Sequence, residues 1–227
     1  MGIKALIFDF DGLLMDTETL QLDSWRHLWE SQGLTLDTTG FFAGHGGDPT
    51  EARYALLAAA AGPGFDRVSG DARLTAYRKE LQKSLGLTAG LAPWLTDAAA
   101  AGLRLAVASS SHRAWVAGNL DRTGDLGRFE VLACGDEVDG HKPDPAVYRL
   151  ALERLGLPPS EAIAFEDTPH GVEAAVAAGL RCVAIPNRYV DPSRFAHATL
   201  VLPSAADACL ADVLARVQLP APPGDGL

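Results

Sequence analysis

Two acidic pairs follow two apolar runs. Asp9 and Asp11 come directly after Ile3–Phe8, and Glu166 and Asp167 directly after Ala162–Phe165. Residues two apart in extended chain point to one side, so Asp9 and Asp11 share a face. Gly12 then lets the backbone turn. If both runs are central parallel strands, four carboxylates meet at one end of a sheet. Like charges that close are costly unless a cation or proton intervenes. A hard divalent ion resolves the conflict, and Mg2+ is the usual choice where one or two carboxylates act with a phosphate. Either pair alone fits a solvated strand-end loop as well; together they make Asp9, Asp11, Glu166 and Asp167 candidate metal ligands.

Two further segments suit an anion. Ser109, Ser110 and Ser111 follow the apolar run Leu103–Ala108. A helix is expected to start near Ser111 under a serine cap, where amides and hydroxyls would suit a phosphate. A plain helix cap explains the same residues. Lys142 lies in Gly140-His141-Lys142-Pro143-Asp144-Pro145, where two prolines pin the backbone. A Lys held rigidly there could neutralise an anion as a point charge, although taken alone it reads as a surface Lys.

These residues need strands to carry them. Six short apolar runs recur: Ile3–Phe8, Leu103–Ala108, Phe129–Cys134, Ala162–Phe165, Arg181–Ile185 and Thr199–Leu202. Most are too apolar for a one-faced sheet, which predicts strands buried on both sides. Helical patterns lie between several of them, at Ala146–Leu155 and at Pro169–Ala178, the latter stopping at Gly179. Alternating strand and helix predicts an α/β fold, a doubly wound parallel sheet, with ligands beyond the carboxyl ends of the strands.

The first connection is far longer than the ~10–12 residues a crossover needs. Its excess reads as helices: Thr17–Gln32 with Leu22, Trp25, Leu28 and Trp29 on one side, the Ala-rich Pro49–Ala61, and Leu74–Leu85. Residues 17–88 are therefore expected to form an inserted α-helical cap domain, placed where a lid would be. Residues 1–16 and 89–218 would form the core domain, and the Pro- and Gly-rich 219–227 a frayed tail.

Composition narrows the partners. The 227 residues carry 19 basic and 29 acidic side chains, a formal charge of -10. That disfavours nucleic acid and anionic membrane, which need a basic surface, but leaves room for a small phosphorylated substrate in a locally positive pocket. No apolar run reaches the ~20 residues of a membrane span. The start MGIKALIFDFDG lacks a signal-peptide core and cleavage site, so a mature, cytoplasmic N-terminus is expected. Cys134, Cys182 and Cys209 are far apart, and each reads as a small core residue in a reducing compartment. A monomer or homodimer is expected.

The ordered set of motifs resembles the haloacid dehalogenase-like superfamily, in its helical-cap branch. Asp9-Phe10-Asp11-Gly12-Leu13-Leu14-Met15-Asp16-Thr17 matches the first family motif, Ser109 the second, Lys142-Pro143 the third, and Phe165-Glu166-Asp167-Thr168-Pro169-His170-Gly171 the fourth. The resemblance implies that Asp9 is a nucleophile that becomes an aspartyl phosphate. It makes Asp11 the acid that protonates the leaving oxygen and the base that activates the next acceptor. Mg2+ would be held by Asp9, the main-chain carbonyl of Asp11, Asp167 and Glu166. Ser109, Ser110 and Lys142 would bind the transferring phosphoryl oxygens. Thr17 matches a position beside the cap hinge, where packing or capping fits equally.

Asp11 also prunes the superfamily, because dehalogenases form an ester with no leaving oxyanion to protonate. The nearest group is β-phosphoglucomutase-like and holds both mutases and phosphatases. The mutases carry an Arg in the first cap loop, where this chain has Gly44-His45-Gly46-Gly47-Asp48. They carry a His where Gln21 stands, and Lys-Asn where His112-Arg113 stand. These departures favour a phosphatase for a small phosphorylated metabolite, a sugar phosphate foremost. Intramolecular transfer by a mutase is the alternative, and a catalytically silent binding protein the third reading. His45, His112 and Arg113 are candidate substrate contacts, each equally readable as a surface residue.

Overall fold

Six strands pair in the order β3-β2-β1-β4-β5-β6, all parallel. They are β1 (Ala5–Phe8), β2 (Arg104–Ala108), β3 (Val131–Ala133), β4 (Ala162–Glu166), β5 (Arg181–Ala184) and β6 (Leu200–Val201). A computed structural model describes residues 2–42 and 49–218 of the chain. The loop with His45 and the tail 219–227, both singled out in the sequence, lie outside the described residues.

The chain divides into two compact units, one of Met1–Met15 with Leu87–Leu227 and one of Asp16–Gly86. In the first, the central strands are buried on both faces, as continuous apolar runs require. One sheet face is small: Ala5, Ile7, Ala106, Ala108, Ala162, Ala164 and Cys182 form a core with Val147, Tyr148, Ala151, Val172 and Ala175. The short side chains let α6 (Ala146–Leu155) and α7 (Pro169–Ala177) lie against the strands. Alternation sends Phe8 and Phe165 to the other face. Their rings stack at 4.7 Å, and Trp94 of α4 (Leu91–Ala100) meets Phe165 edge-on at 5.5 Å. The unit also holds α5 (Arg113–Thr123) and α8 (Leu210–Gln218).

The strand order reverses direction between β1 and β4, and such a switch point opens a crevice at the carboxyl ends of the two strands. The pairing there runs past the named strand ends. Asp9 N donates to Phe165 O at 2.9 Å, so the acidic residues after both strands start from one rigid edge. Behind Asp9 the chain folds back on itself. Gly12 N donates to Met15 O and Met15 N to Phe10 O, and Gly12 takes φ 85°, a backbone region open to glycine.

The second unit packs α1 (Thr17–Glu30), α2 (Thr50–Ala61) and α3 (Arg67–Gln82) around Trp25, Leu28, Tyr54, Leu57 and Leu74. Helix α3 begins seven residues before the expected Leu74, because Asp66 caps it through Val68 N and Ser69 N ahead of any apolar spacing. The serine cap expected at Ser111 is not formed either: α5 starts at Arg113, with His112 at its cap and no side-chain cap bond. The hydroxyl of Ser111 is engaged elsewhere. Cys134 and Cys182 are buried as expected, but Cys209 is exposed. Among the described residues, no helix is long and apolar enough to cross a membrane.

Candidate active site

Four segments converge at the carboxyl end of the sheet. Asp9 leaves β1, Ser109 leaves β2, Glu166 ends β4 with Asp167 directly after it, and Lys142 comes from the loop before α6, next to a cis Lys142–Pro143 peptide. Lys142 joins three adjacent strand ends through one ammonium. Its Nζ donates to Asp9 Oδ1, to Ala108 O at 2.9 Å and to Glu166 Oε1 at 2.6 Å. An ammonium has three donors, and all three are used. Tyr148 holds this arrangement from below: its hydroxyl donates to Glu166 Oε1 at 2.7 Å, and its ring lies 5.0 Å from Nζ. The other Glu166 oxygen accepts from Asp167 N at 3.1 Å and Thr168 Oγ1 at 3.4 Å.

Oxygen atoms of Asp9, Glu166 and Asp167 lie within 4.8 Å of one another, and all three residues are buried. Burial pushes the Asp9 carboxyl up to about 8; Lys142 pulls it back, while Glu166 and Asp11 add to the rise. Burial works against the Lys142 charge, yet Asp9 and Glu166 together hold its ammonium above the ordinary range. Three buried carboxyl groups gather here around one ammonium. A buried set of hard oxygen donors of this kind fits a divalent cation such as Mg2+. Asp167 is aimed by Asn187, whose Nδ2 donates to Asp167 Oδ2 at 2.7 Å while its Oδ1 accepts from Tyr189 N at 2.9 Å.

Asp11 turns to the segment after β2. Trp115 Nε1 donates to its Oδ1 at 3.0 Å, and Ser111 Oγ to its Oδ2 at 2.7 Å, with Ser109 Oγ at 3.4 Å. Ser109 is buried and its Oγ also accepts from Ser111 N at 3.0 Å. The loop is pinned from β3: Gly135 N donates to Ser111 O at 2.9 Å, and a Cβ built on Gly135 would lie 2.0 Å from Ser110 O.

The structure thus brings together Asp9, Asp11, Ser109, Lys142, Glu166 and Asp167, while the side chain of Ser110, next to Ser109, is exposed. It leaves His112 and Arg113 outside the cluster. His112 is exposed, with its ring 3.8 Å from Asp136. Arg113 donates to Leu132 O at 2.9 Å, toward the β3 edge of the sheet. Thr17 belongs to the helical unit, buried at the start of α1 under the Asp16 cap. In that unit Gln21 accepts a hydrogen bond from Arg53, whose guanidinium also donates to Phe41 O and lies 3.8 Å over the Phe41 ring. Tyr148, Trp115, Asn187 and Arg53 are not among the sequence candidates, and Ser111, expected as a helix cap beside an anion, bonds Asp11 instead.

The chain belongs to the haloacid dehalogenase-like hydrolase family, whose model matches residues 6–185. Two curated relatives cover most of the chain. YhcW of Bacillus subtilis (strain 168) is 35% identical over 216 residues, covering 93% of this chain and 96% of its own. A phosphorylated carbohydrates phosphatase of Thermotoga maritima is 32% identical over 179 residues, covering 78% and 82%. The crystal structure of CbbY from Rhodobacter sphaeroides in complex with phosphate superposes with a TM-score of 0.72 at 30% identity, covering 96% of this chain and 100% of that one.

Proposed function

We propose that this protein is a divalent-metal-dependent phosphatase that hydrolyses a small phosphorylated metabolite, a sugar phosphate foremost, through an aspartyl phosphate on Asp9. The observation that carries the reading is the single ammonium of Lys142 bound at once to Asp9, Glu166 and the end of β2. It holds a nucleophilic carboxylate beside a cation, where an anionic ester can approach it. The phosphatase of Thermotoga maritima and the phosphate-bound CbbY support the choice of ester.

Asp9 and Asp167, with the main-chain carbonyl of Asp11 and with Glu166, would hold Mg2+. When bound, that ion neutralises charge on the transferring phosphoryl group. A carboxylate oxygen of Asp9 attacks phosphorus while the bond to the leaving oxygen breaks. Asp11 gives its proton to that oxygen, and the alcohol departs. The Asp11 carboxylate then takes a proton from water as the water oxygen attacks the phosphorus of the aspartyl phosphate. Inorganic phosphate leaves and Asp9 is restored. Ser109 positions the phosphoryl oxygens through both displacements, together with Lys142, which turns one of its three donors from a carboxyl group to the phosphoryl group; such positioning is most of what the reaction requires. The inserted helical unit serves as the cap that selects the substrate.

The test is a panel of phosphorylated sugars assayed for free phosphate with Mg2+ and with chelator. Metal-dependent release of phosphate is expected. Conversion of a sugar 1-phosphate to its 6-phosphate without release would make the protein a mutase. No reaction across the panel would make it a binding protein on a hydrolase fold.

A further inference from the structure

We infer that Trp115 and Ser111 are positioning residues for Asp11, holding its carboxyl group with Oδ2 turned toward Ser109; the inference rests on the acid role proposed for Asp11. The two Asp11 oxygens have different partners. Oδ1 accepts from the Trp115 indole at 3.0 Å. Oδ2 meets two hydroxyls, Ser111 Oγ at 2.7 Å and Ser109 Oγ at 3.4 Å. An indole N–H is a donor only, whereas a hydroxyl can donate or accept. Trp115 thus holds Oδ1 as an acceptor. Oδ2 is left to the two hydroxyls, so the Asp11 carboxyl group is held in one orientation by partners on both of its oxygens. Oδ2 is also the oxygen that faces Ser109, the hydroxyl proposed to bind the phosphoryl group. The working oxygen is thus turned toward the reaction.

The local fold explains why these two residues can do this. Asp11 stands beyond β1, and residues 109–115 stand beyond β2, its parallel neighbour, with Phe8 opposite Val107. Ser111 lies in the loop pinned by Gly135. Trp115 sits two residues into α5, and its carbonyl accepts from Asn119 Nδ2 at 2.9 Å on the next turn. Trp115 is half-buried, and its ring nitrogen reaches past its own helix to Asp11.

The experiment compares esters that differ in their need for an acid. 4-Nitrophenyl phosphate releases a stable anion, whereas phenyl phosphate releases a phenolate that needs a proton near neutral pH. With Mg2+, Trp115→Phe and Ser111→Ala should each lower kcat/KM for phenyl phosphate by about 10- to 100-fold. For 4-nitrophenyl phosphate the loss should stay within about threefold, and Ser111→Thr, which keeps the hydroxyl, should restore the phenyl ester. Equal losses on both esters, or no loss on either, overturn the inference while the phosphatase reading stands. If Trp115→Phe does not fold, the Ser111→Ala and Ser111→Thr pair decides alone. Wild-type protein inert on both esters overturns the phosphatase reading, and the inference with it.

Discussion

Lys142 Nζ and Glu166 Oε1 lie 2.6 Å apart in a place with almost no water: the Lys142 side chain is 8% exposed and that of Glu166 0%. Asp9 completes the group on the same ammonium. Such a triad is held by mutual need. Each carboxyl group has lost its hydration, and the Lys supplies both with a counter-charge and a donor.

Replacing Lys142 by Met should therefore cost stability as well as activity. Two buried carboxylates would lose their cation, a loss of about 3–5 kcal/mol for a broken buried pair. Added Mg2+ should recover part of it, since the same carboxylates can share a metal. Thermal melts with and without MgCl2 check this. A melt that matches wild type without metal would mean that the ammonium does not hold the carboxylates.

Gly171 guards the other side of Glu166. A Cβ built there would fall 2.0 Å from the Glu166 carboxyl, a contact no real Cβ makes. Gly171→Ala should shift Glu166, loosen Lys142, and destabilise the fold by about 1–3 kcal/mol. Gly118, inside α5, has nothing within 4 Å of its Cβ position. Gly118→Ala should instead stabilise by about 0.5–1 kcal/mol. Urea titrations of the two variants should move in opposite directions.

What the sequence conveyed follows from what periodicity and motif spacing can carry. The buried strands were legible because β1 and β4 are apolar on both faces, and the acidic pairs because they stop those runs abruptly. Strands β3 and β6 pair over three and two residues, fewer than their apolar runs span. Register with a neighbour, not hydrophobicity, ends them. The supporting polar residues were hidden for another reason. Tyr148 sits between Val147 and Ala151 on a buried helical face and packs there like any core residue. Only the partner of its hydroxyl, eighteen positions away, reveals its work. Trp115 and Asn187 likewise act on acidic residues 104 and 20 positions off, which no local pattern encodes. Ser111 was read as a helix cap because a serine before a helix commonly is one, and its bond to Asp11 overrode that preference.

Asp9 and Asp11 should separate by chemistry. Asp9→Asn removes the attacking oxygen and should lower turnover by about 10^4-fold or more, as nucleophile loss does. Asp11→Asn keeps the main-chain carbonyl and the Trp115 and Ser111 partners, but offers no proton. It should cost about 10²- to 10⁴-fold and leave Mg2+ affinity near wild type. Burst kinetics and calorimetric metal titration distinguish the two. Appreciable activity in Asp9→Asn would show that the nucleophile lies elsewhere.

Metal binding should compete with a proton on Asp9. Burial raises this carboxyl to about 8 against an ordinary 3.8, with Lys142 opposing and Glu166 and Asp11 adding. Between those values the folded chain without metal retains a proton that the unfolded chain has lost. The Asp9 contribution to metal-free stability is therefore present below the lower value and declines as pH rises toward the upper one. A cation that binds Asp9 must expel that proton, so its affinity moves the opposite way. Mg2+ affinity should rise about tenfold per pH unit up to about pH 8 and then level off, with close to one proton released per ion on the acidic side. The stabilisation that Mg2+ gives in a thermal melt should grow over the same range, and chelation should abolish turnover until Mg2+ is restored. Titration calorimetry in buffers of different ionisation enthalpy counts the proton directly. A Mg2+ affinity that does not vary with pH would mean that Asp9 is already ionised beside Lys142, and that the ammonium offsets more of its burial than the two remaining acids undo.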